Sequence, residues 1–289
     1  MTHASAAALH ALARAHLSPE DAETWIGLLA PGLRLDSDPE AEGPLVGRLG
    51  GLPDLPADVP WPHWEGHGPL SFVATLDCAA LSAAGDTGLA LPASGALLLF
   101  HFDGRVDDGD AFVGPDEPES RPGARILHVP GDAVTATRPA PEELPPYPEA
   151  PLRGVPGLTA LGGYDPRVRA AFGLPRVIGR DETHPLYAEA FTDALYELSQ
   201  DVHRVGGHAA PIQNPVEWEL AHGLLGPDTP WNDPATDAEA AAWVPLVQID
   251  TDDRADMMWG DAGALYWLIR PADLAAGRFE EAGFTWQCC

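Results

Sequence analysis

The chain is 289 residues long and carries 44 acidic against 16 basic residues, a formal net charge of −28, and every basic residue is Arg. The missing lysine excludes Schiff-base chemistry, a P-loop lysine and a Ser–Lys dyad, and the acidic balance disfavours nucleic acid and anionic membrane, which need a basic patch. Cys78, Cys288 and Cys289 form no C-x-x-C spacing, which excludes a disulfide framework, a zinc ribbon and a thioredoxin-type pair.

Residues 4–16 have the Ala/Leu content of a helix. Ser18-Pro19-Glu20-Asp21 then combines an N-cap, Pro at the first helical position and acids in the first turn. It predicts a second helix carrying Trp25, Ile26, Leu28 and Leu29 that stops at Pro31-Gly32. The two helices are expected to form an N-terminal helical cap over residues 1–43. From Pro44 the rhythm changes to short strands between Pro and Gly, predicted at 45–49, 70–76, 96–102 and 125–129. Residues 139–156 hold seven prolines in eighteen positions and predict an extended connector over 139–158. It separates a first half, 44–138, from a second, 159–289. Tyr187, Phe191, Leu195 and Leu198 at helical spacing predict a mid-chain helix over 186–204, ending at Gly206-Gly207. Strands return at 243–249 and 264–269. The N-terminus lacks the sustained apolar core of a signal peptide and no 18-residue apolar run occurs, so the cytoplasm is the expected compartment.

The two strand-rich regions follow one order. Leu49-Gly50-Gly51, a strand ending Leu76-Asp77, a loop and Gly95-Ala96-Leu97 are matched by Val205-Gly206-Gly207, Ile249-Asp250, a loop and Gly263-Ala264-Leu265. The expected fold class is therefore α+β, with β-rich, internally duplicated mixed sheets, an N-terminal helical pair and a mid-chain helix.

Residues 48–56 (RLGGLPDLP), Trp61-Pro62, 69–77 (PLSFVATLD), 91–100 (LPASGALLLF), 205–208 (VGGH) and the block 246–288 resemble the YwqG-like family of uncharacterised bacterial proteins. The resemblance runs from about residue 44 to the end, with a divergent middle. It implies a mixed fold of helices and strands and no established activity. Two positions depart from the family pattern. Thr75 stands where Gln is usual, and Ile212 precedes Gln213 where Thr is commoner.

The acidic segment Asp250-Thr251-Asp252-Asp253-Arg254-Ala255-Asp256, with Asp261 beyond it, invites a calcium reading. Asp250, Asp252 and Asp261 fit positions 1, 3 and 12 of an EF-hand loop, but Arg254 and Ala255 occupy the ligand and glycine positions 5 and 6, so an EF-hand is excluded. A looser cation site would use Asp252 and Asp256; the expectation is no metal and no cofactor. His63 and His67 flank Glu65 at zincin spacing, but Pro60, Pro62, Gly66, Gly68 and Pro69 forbid the helix that chemistry needs. His101, His203 and His208 are scattered and matter only if the fold gathers them. Cys78 is a small buried hydrophobe before it is a nucleophile. Trp259, Trp267, Trp286, Tyr266 and Phe284 near the acidic loop offer an aromatic and carboxylate recognition surface.

These residues favour an acidic binding or interaction protein, one that neutralises a basic protein or toxin, with no nucleic acid and no membrane partner. Its expected site residues are Gln213, Gln248, Asp250, Asp252, Asp253, Trp259 and Asp261. The alternative is a cation-dependent hydrolase using Asp252, Asp253, Asp256 and Asp261. Whether the chain is an enzyme, and how it oligomerises, stay open at this level.

Overall fold

The computed structural model describes residues 5–175, 183–199 and 203–289. Two helices open it, α1 (Ala6–His16) and α2 (Pro19–Ile26), each capped by a serine: Ser5 accepts the Ala8 amide and Ser18 the Asp21 amide. The second helix ends at Gly27 rather than at Pro31-Gly32. Residues expected in the cap form a strand instead, β1 (Ala30–Asp36), because Leu33 and Leu35 alternate inward and are fully buried.

The first strand-rich region contains β2 (Leu45–Leu49), β3 (Asp54–Pro56), β4 (His63–Trp64), β5 (Gly68–Pro69), β6 (Ser71–Asp77), α3 (Cys78–Ala84), β7 (Ala96–His101), β8 (Ala124–Val129) and β9 (Thr135–Thr137). Then come β10 (Ala150–Thr159), α4 (Pro166–Ala171), α5 (Glu189–Ser199) and β11 (His203–Gly206). The chain finishes with α6 (Val216–Leu225), α7 (Pro234–Ala240), β12 (Val244–Asp250), β13 (Ala264–Ile269), α8 (Pro271–Ala275) and β14 (Gly283–Gln287). The fold is α+β and β-rich. No helix among the described residues is long and apolar enough to cross a membrane.

Ten strands make one sheet, ordered β14-β13-β12-β11-β1-β10-β2-β6-β7-β8 and antiparallel at every pairing. The order is palindromic about the β1–β10 pair. On one side lie β2, β6, β7 and β8; on the other β11, β12, β13 and β14 follow in the same sense. The irregularities match too. β6 breaks register against β7 between Phe72 and Ala74, and β12 breaks register against β13 between Pro245 and Val247. Gly50, Gly51, Gly206 and Gly207 all take positive φ, a conformation that glycine adopts without strain.

Two expectations need correction. The proline-rich connector becomes, from Ala150, a central strand, although proline is normally confined to edges. The stagger of β10 resolves this: residues 150–153 pair with β2 and residues 153–159 with β1. Pro151 and Pro156 are therefore each paired on one side only, where no second ladder asks for an amide. The mid-chain helix does not run to residue 204. α5 ends at Ser199, residues 200–202 lie outside the described residues, and His203, Arg204 and Val205 are buried in β11. Pairing of this segment with β1 on one side and β12 on the other overrides its helical neighbourhood.

A large core of Leu49, Leu76, Leu97, Leu99, Leu265 and Trp267, among others, lines one face of the sheet. A second core joins α1, α2, α4 and α5 around Trp25, Val168 and Phe191, whose rings meet edge to face at 5.5 Å in the Trp25–Phe191 pair. The sheet curls until its ends approach: the His101 ring of β7 lies 4.9 Å from that of Phe284 in β14, and Arg121 bonds Glu281 at 2.8 Å. The loops following β7 and β12 are thereby brought face to face.

A Cβ at Gly206 would sit 1.9 Å from the Thr87 carbonyl oxygen, at φ 69°. Gly206→Ala is expected to cost about 2–4 kcal/mol through left-handed strain and overpacking. Gly109→Ala, at φ 78° with nothing within 4 Å, is expected to cost only about 1 kcal/mol. Urea denaturation of the two variants checks the contrast.

Candidate functional site

The acidic segment begins where β12 runs out. His203, fully buried on the neighbouring strand, takes the Asp250 amide on Nδ1 at 3.1 Å. That leaves Nε2 to carry the proton, which it gives to Asp252 Oδ2 at 3.1 Å. Ser37 donates to the same oxygen at 2.6 Å, and the amides of Arg254 and Ala255 donate to Oδ1. Burial raises the Asp252 carboxyl, but the His203 and Ser37 hydrogen bonds outweigh it and hold the group well below the usual carboxylate range. His203, Asp252 and Ser37 are not arranged as a nucleophilic triad, because the serine donates to the carboxylate and not to the imidazole. They tie the residue after β1, strand β11 and the acidic segment together.

The other sequence candidates divide by burial. Gln248, 2 % exposed, accepts the Ala210 amide at 2.9 Å. Asp250 accepts the Thr251 amide at 2.8 Å, and burial, only partly offset by His203, pushes its carboxyl up to about 6. Gln213 is exposed and donates to the Cys288 carbonyl at 2.8 Å. Asp253, Asp256 and Asp261 are exposed, while Trp259 is buried and donates from Nε1 to the Asp250 carbonyl. The fold thus collects Asp250, Asp252 and Trp259 in one wall, leaves Asp253, Asp256 and Asp261 on its solvent side, and places Gln213 beside the chain end.

His63 and His67 sit on the β4–β5 hairpin, where His67 stacks on Trp64 at 3.8 Å. His208 Nε2 lies 2.8 Å from the Leu28 carbonyl oxygen. Cys78 is buried, and its burial together with Asp77 pushes the thiol up to about 11, which suppresses the thiolate a nucleophile needs. Among the described residues no group of three or more His, Cys, Asp or Glu is placed to hold a metal ion.

Sequence reasoning missed the feature that the curl of the sheet creates. A cleft of about 190 Å³ opens between the loop after β7 and the end of the acidic segment. Phe102, Phe112 and Val113 line one wall; Met258, Trp259 and Trp286 line the other. Its floor includes His101 and Asp103. Phe112 and Trp286 lie 13° from parallel, with ring centroids 6.5 Å apart. Phe112 and Met258 are 60 % and 59 % exposed at the mouth, an apolar exposure that a closed core would not leave.

Two polar groups set the chemistry of the floor. Asp103 Oδ2 accepts from Ser71 Oγ at 2.5 Å, Tyr147 OH at 2.6 Å and Arg105 Nε at 2.9 Å. Burial raises its carboxyl, but these hydrogen bonds and the Arg105 charge outweigh burial, so it stays an anion below the usual range. His101 is 6 % exposed, and its Nδ1 has no hydrogen-bond partner. Burial pulls its pKa down to about 4, so the imidazole is neutral at pH 7. Of the buried side-chain nitrogens and oxygens without a partner among the described residues, this is the one that belongs to a cleft residue. The described non-glycine residues with positive φ, Asp108, Asp256 and Ala262, all fall on the two loops that wall the cleft. The sequence signals were Trp259 and Trp286, read there as part of an aromatic recognition surface, and His101, a single imidazole ending an apolar strand before Phe102-Asp103; nothing local pointed to Phe112.

A family model described as a domain of unknown function, DUF1963, matches residues 47–288. No curated protein matches the chain.

Half-buried Asp250 and buried Asp252 give opposite pH signatures. The folded pKa of Asp250, about 6, lies above its ordinary 3.8, so the stability it contributes is present below 3.8 and is lost as pH rises through 6. Asp250→Asn is therefore expected to raise the urea midpoint at pH 8, with the gain fading below pH 6. Asp252 is shifted down, so its contribution is present above the ordinary carboxylate pKa and lost in more acidic solution. Asp252→Ala is expected to cost about 2–4 kcal/mol at pH 7, because it leaves His203 buried without its acceptor. Denaturation curves from pH 4 to 8 read both effects.

Proposed function

The chain belongs to the DUF1963 family, a domain of unknown function, and from that premise we propose that it is a binding module that docks a basic protein partner at the cleft between the ends of its curled sheet. One observation carries the reading: the cleft has aromatic walls and exposed apolar residues at its mouth. Exposed apolar surface of this kind marks a site that binds a partner.

The partner class follows from charge. Asp108 and Asp110 are exposed on one lip and Asp256 and Asp261 on the other, within a chain of formal net charge −28. Such a field attracts cationic proteins and speeds their encounter. The strained backbone at Asp108, Asp256 and Ala262 supports the same location, since such strain clusters at ligand clamps. In this reading Trp259, Asp256 and Asp261 belong to the site, while Gln213, Gln248, Asp250 and Asp252 shape the wall behind it and Asp253 lies at its margin.

The cation-dependent hydrolase is the weaker reading, because Asp252, its central carboxylate, already takes four hydrogen bonds from Ser37, His203 and two loop amides. We also read the palindromic strand order as an internal duplication, supported by the paired register breaks and the two Gly-Gly turns. The YwqG-like resemblance is consistent with the family match. The three free cysteines favour a reducing compartment, the cytoplasm.

Titration with basic and acidic peptides of equal length, followed by tryptophan fluorescence at 50 and 300 mM salt, tests the proposal. Basic peptides are expected to bind, to weaken at the higher salt, and to lose at least fivefold in affinity with Phe112→Ala or Trp286→Ala. Equal binding of acidic peptides, or basic-peptide binding indifferent to both substitutions, would overturn it.

A further inference from the structure

We infer that the docking face runs from the cleft mouth across the loop at 112–117 onto the C-terminal turn of α6, and that the element of the basic partner it receives is an amphipathic helix. The inference rests on the cleft being the binding site, and it adds the extent of the face and the form of the segment that covers it.

Size shows that the cleft is not the whole contact. At about 190 Å³ it takes one side chain, since roughly 150 Å³ encloses a benzene ring, whereas a stable complex buries about 800 Å² on each partner. The remaining contact has to lie around the mouth. Nine large apolar side chains are exposed among the described residues, and five of them gather here: Phe112 and Met258 at the mouth, Leu224, Leu225 and Trp231 beyond it. The link is Gly223, on the last turn of α6. A Cβ there would fall 2.4 Å from the Pro115 carbonyl carbon, so the helix meets the loop that bears Phe112 backbone to backbone. Pro115 stands at most about 11 Å along the chain from Phe112. Trp231 stacks on His222, with ring centroids 3.9 Å apart and planes 5° from parallel. The apolar face so formed is on the order of 20 Å long, which a helix of about 14 residues spans.

Charge and backbone then select the occupant. To the carboxylates on the lips of the cleft the loop adds Asp116, Glu117 and Glu119, and the chain before Trp231 adds Asp228, all exposed. The arginines of the loop, Arg105 and Arg121, are already held by Asp103 and Glu281. An apolar floor with an acidic rim complements a segment with an apolar stripe flanked by cations. Neither the loop nor the end of α6 is a strand edge, which sets aside strand addition. An extended segment would also turn alternate side chains away from the face. A helix keeps its apolar side chains on one stripe and its charges beside it, and Leu, Met and Phe side chains adapt to such a stripe.

The test is fluorescence anisotropy of the full chain at low salt with three labelled peptides of about 14 residues. One is built of leucine and lysine with leucines at helical spacing, one has the same composition scrambled, and one replaces lysine by glutamate. The first is expected to bind and to gain helical circular dichroism, and the other two to bind about tenfold more weakly or less, as lost complementarity requires. Leu224→Gln and Trp231→Ala, both at exposed side chains, are each expected to weaken it about fivefold, the loss that truncating an anchor brings. Val134→Gln, exposed beyond the far end of β8, is expected to change nothing. Weakening by Phe112→Ala but by neither Leu224→Gln nor Trp231→Ala would overturn the extended face and leave the cleft as the docking site. Equal binding of the scrambled peptide, or binding without added helix, would overturn the helix. No binding of any peptide, or equal weakening by Val134→Gln, would overturn the inference and count against the cleft itself.

Discussion

The antiparallel pairing of β1 with β10, from Ala30 opposite Thr159 to Asp36 opposite Arg153, is the joint on which the molecule depends. Each strand of that pair lies beside the other region's strands: β1 against β11 and β10 against β2. The two halves of the sheet are therefore not two sheets placed side by side. Each is completed by a strand from the other end of the chain, and their shared hydrogen-bond ladder fixes their relation. Long-range pairing of this kind carries a large loop-closure cost and gives slow, cooperative folding.

That joint also explains why the loops face one another. A continuous antiparallel sheet of ten strands twists and coils, and here the coiling brings β7 to β14. The aromatic contacts of His101 with Phe284 and Trp259 close the circuit. The acidic segment supplies one wall, held from behind by Asp252 between His203 and Ser37, so the residue that follows β1 is linked to Trp259 through a chain of hydrogen bonds. The carboxylates that dominate the sequence thus serve two physical roles. The buried ones anchor the wall, and the exposed ones set the field at its edge.

Much of the sheet was legible in the sequence. The apolar runs at 96–102 and 264–269 and the alternation at 45–49 name β7, β13 and β2 almost to the residue. Other elements were hidden for identifiable reasons. α6 is buried around most of its circumference, with Val216, Trp218, Leu220 and Ala221 all inside, so it shows little helical periodicity. β1 begins Ala-Pro-Gly and β10 holds two prolines, local signals for turns that only the stagger of the sheet reverses. The cleft was less legible than the fold. Trp259 and the aspartates were visible as a composition, but their roles depend on His203 and Ser37, which are remote in sequence. His101 meets Phe284, and Phe112 meets Trp286, only because the sheet curls, and no local pattern reports a contact of that range.

The family match covers residues 47–288, whereas β1 occupies Ala30–Asp36. A chain trimmed to the matched boundaries would lose the strand that sits between β11 and β10, together with Ser37 behind the acidic segment. Two strand edges, seven residues of β10 and the four of β11, would then be left open in the middle of the molecule, each a template for another chain. Where this fold is cut at the limits of its recognisable sequence, aggregation or exchange of strands between molecules is the physical outcome to expect, and the unit that stands alone begins at or before residue 30.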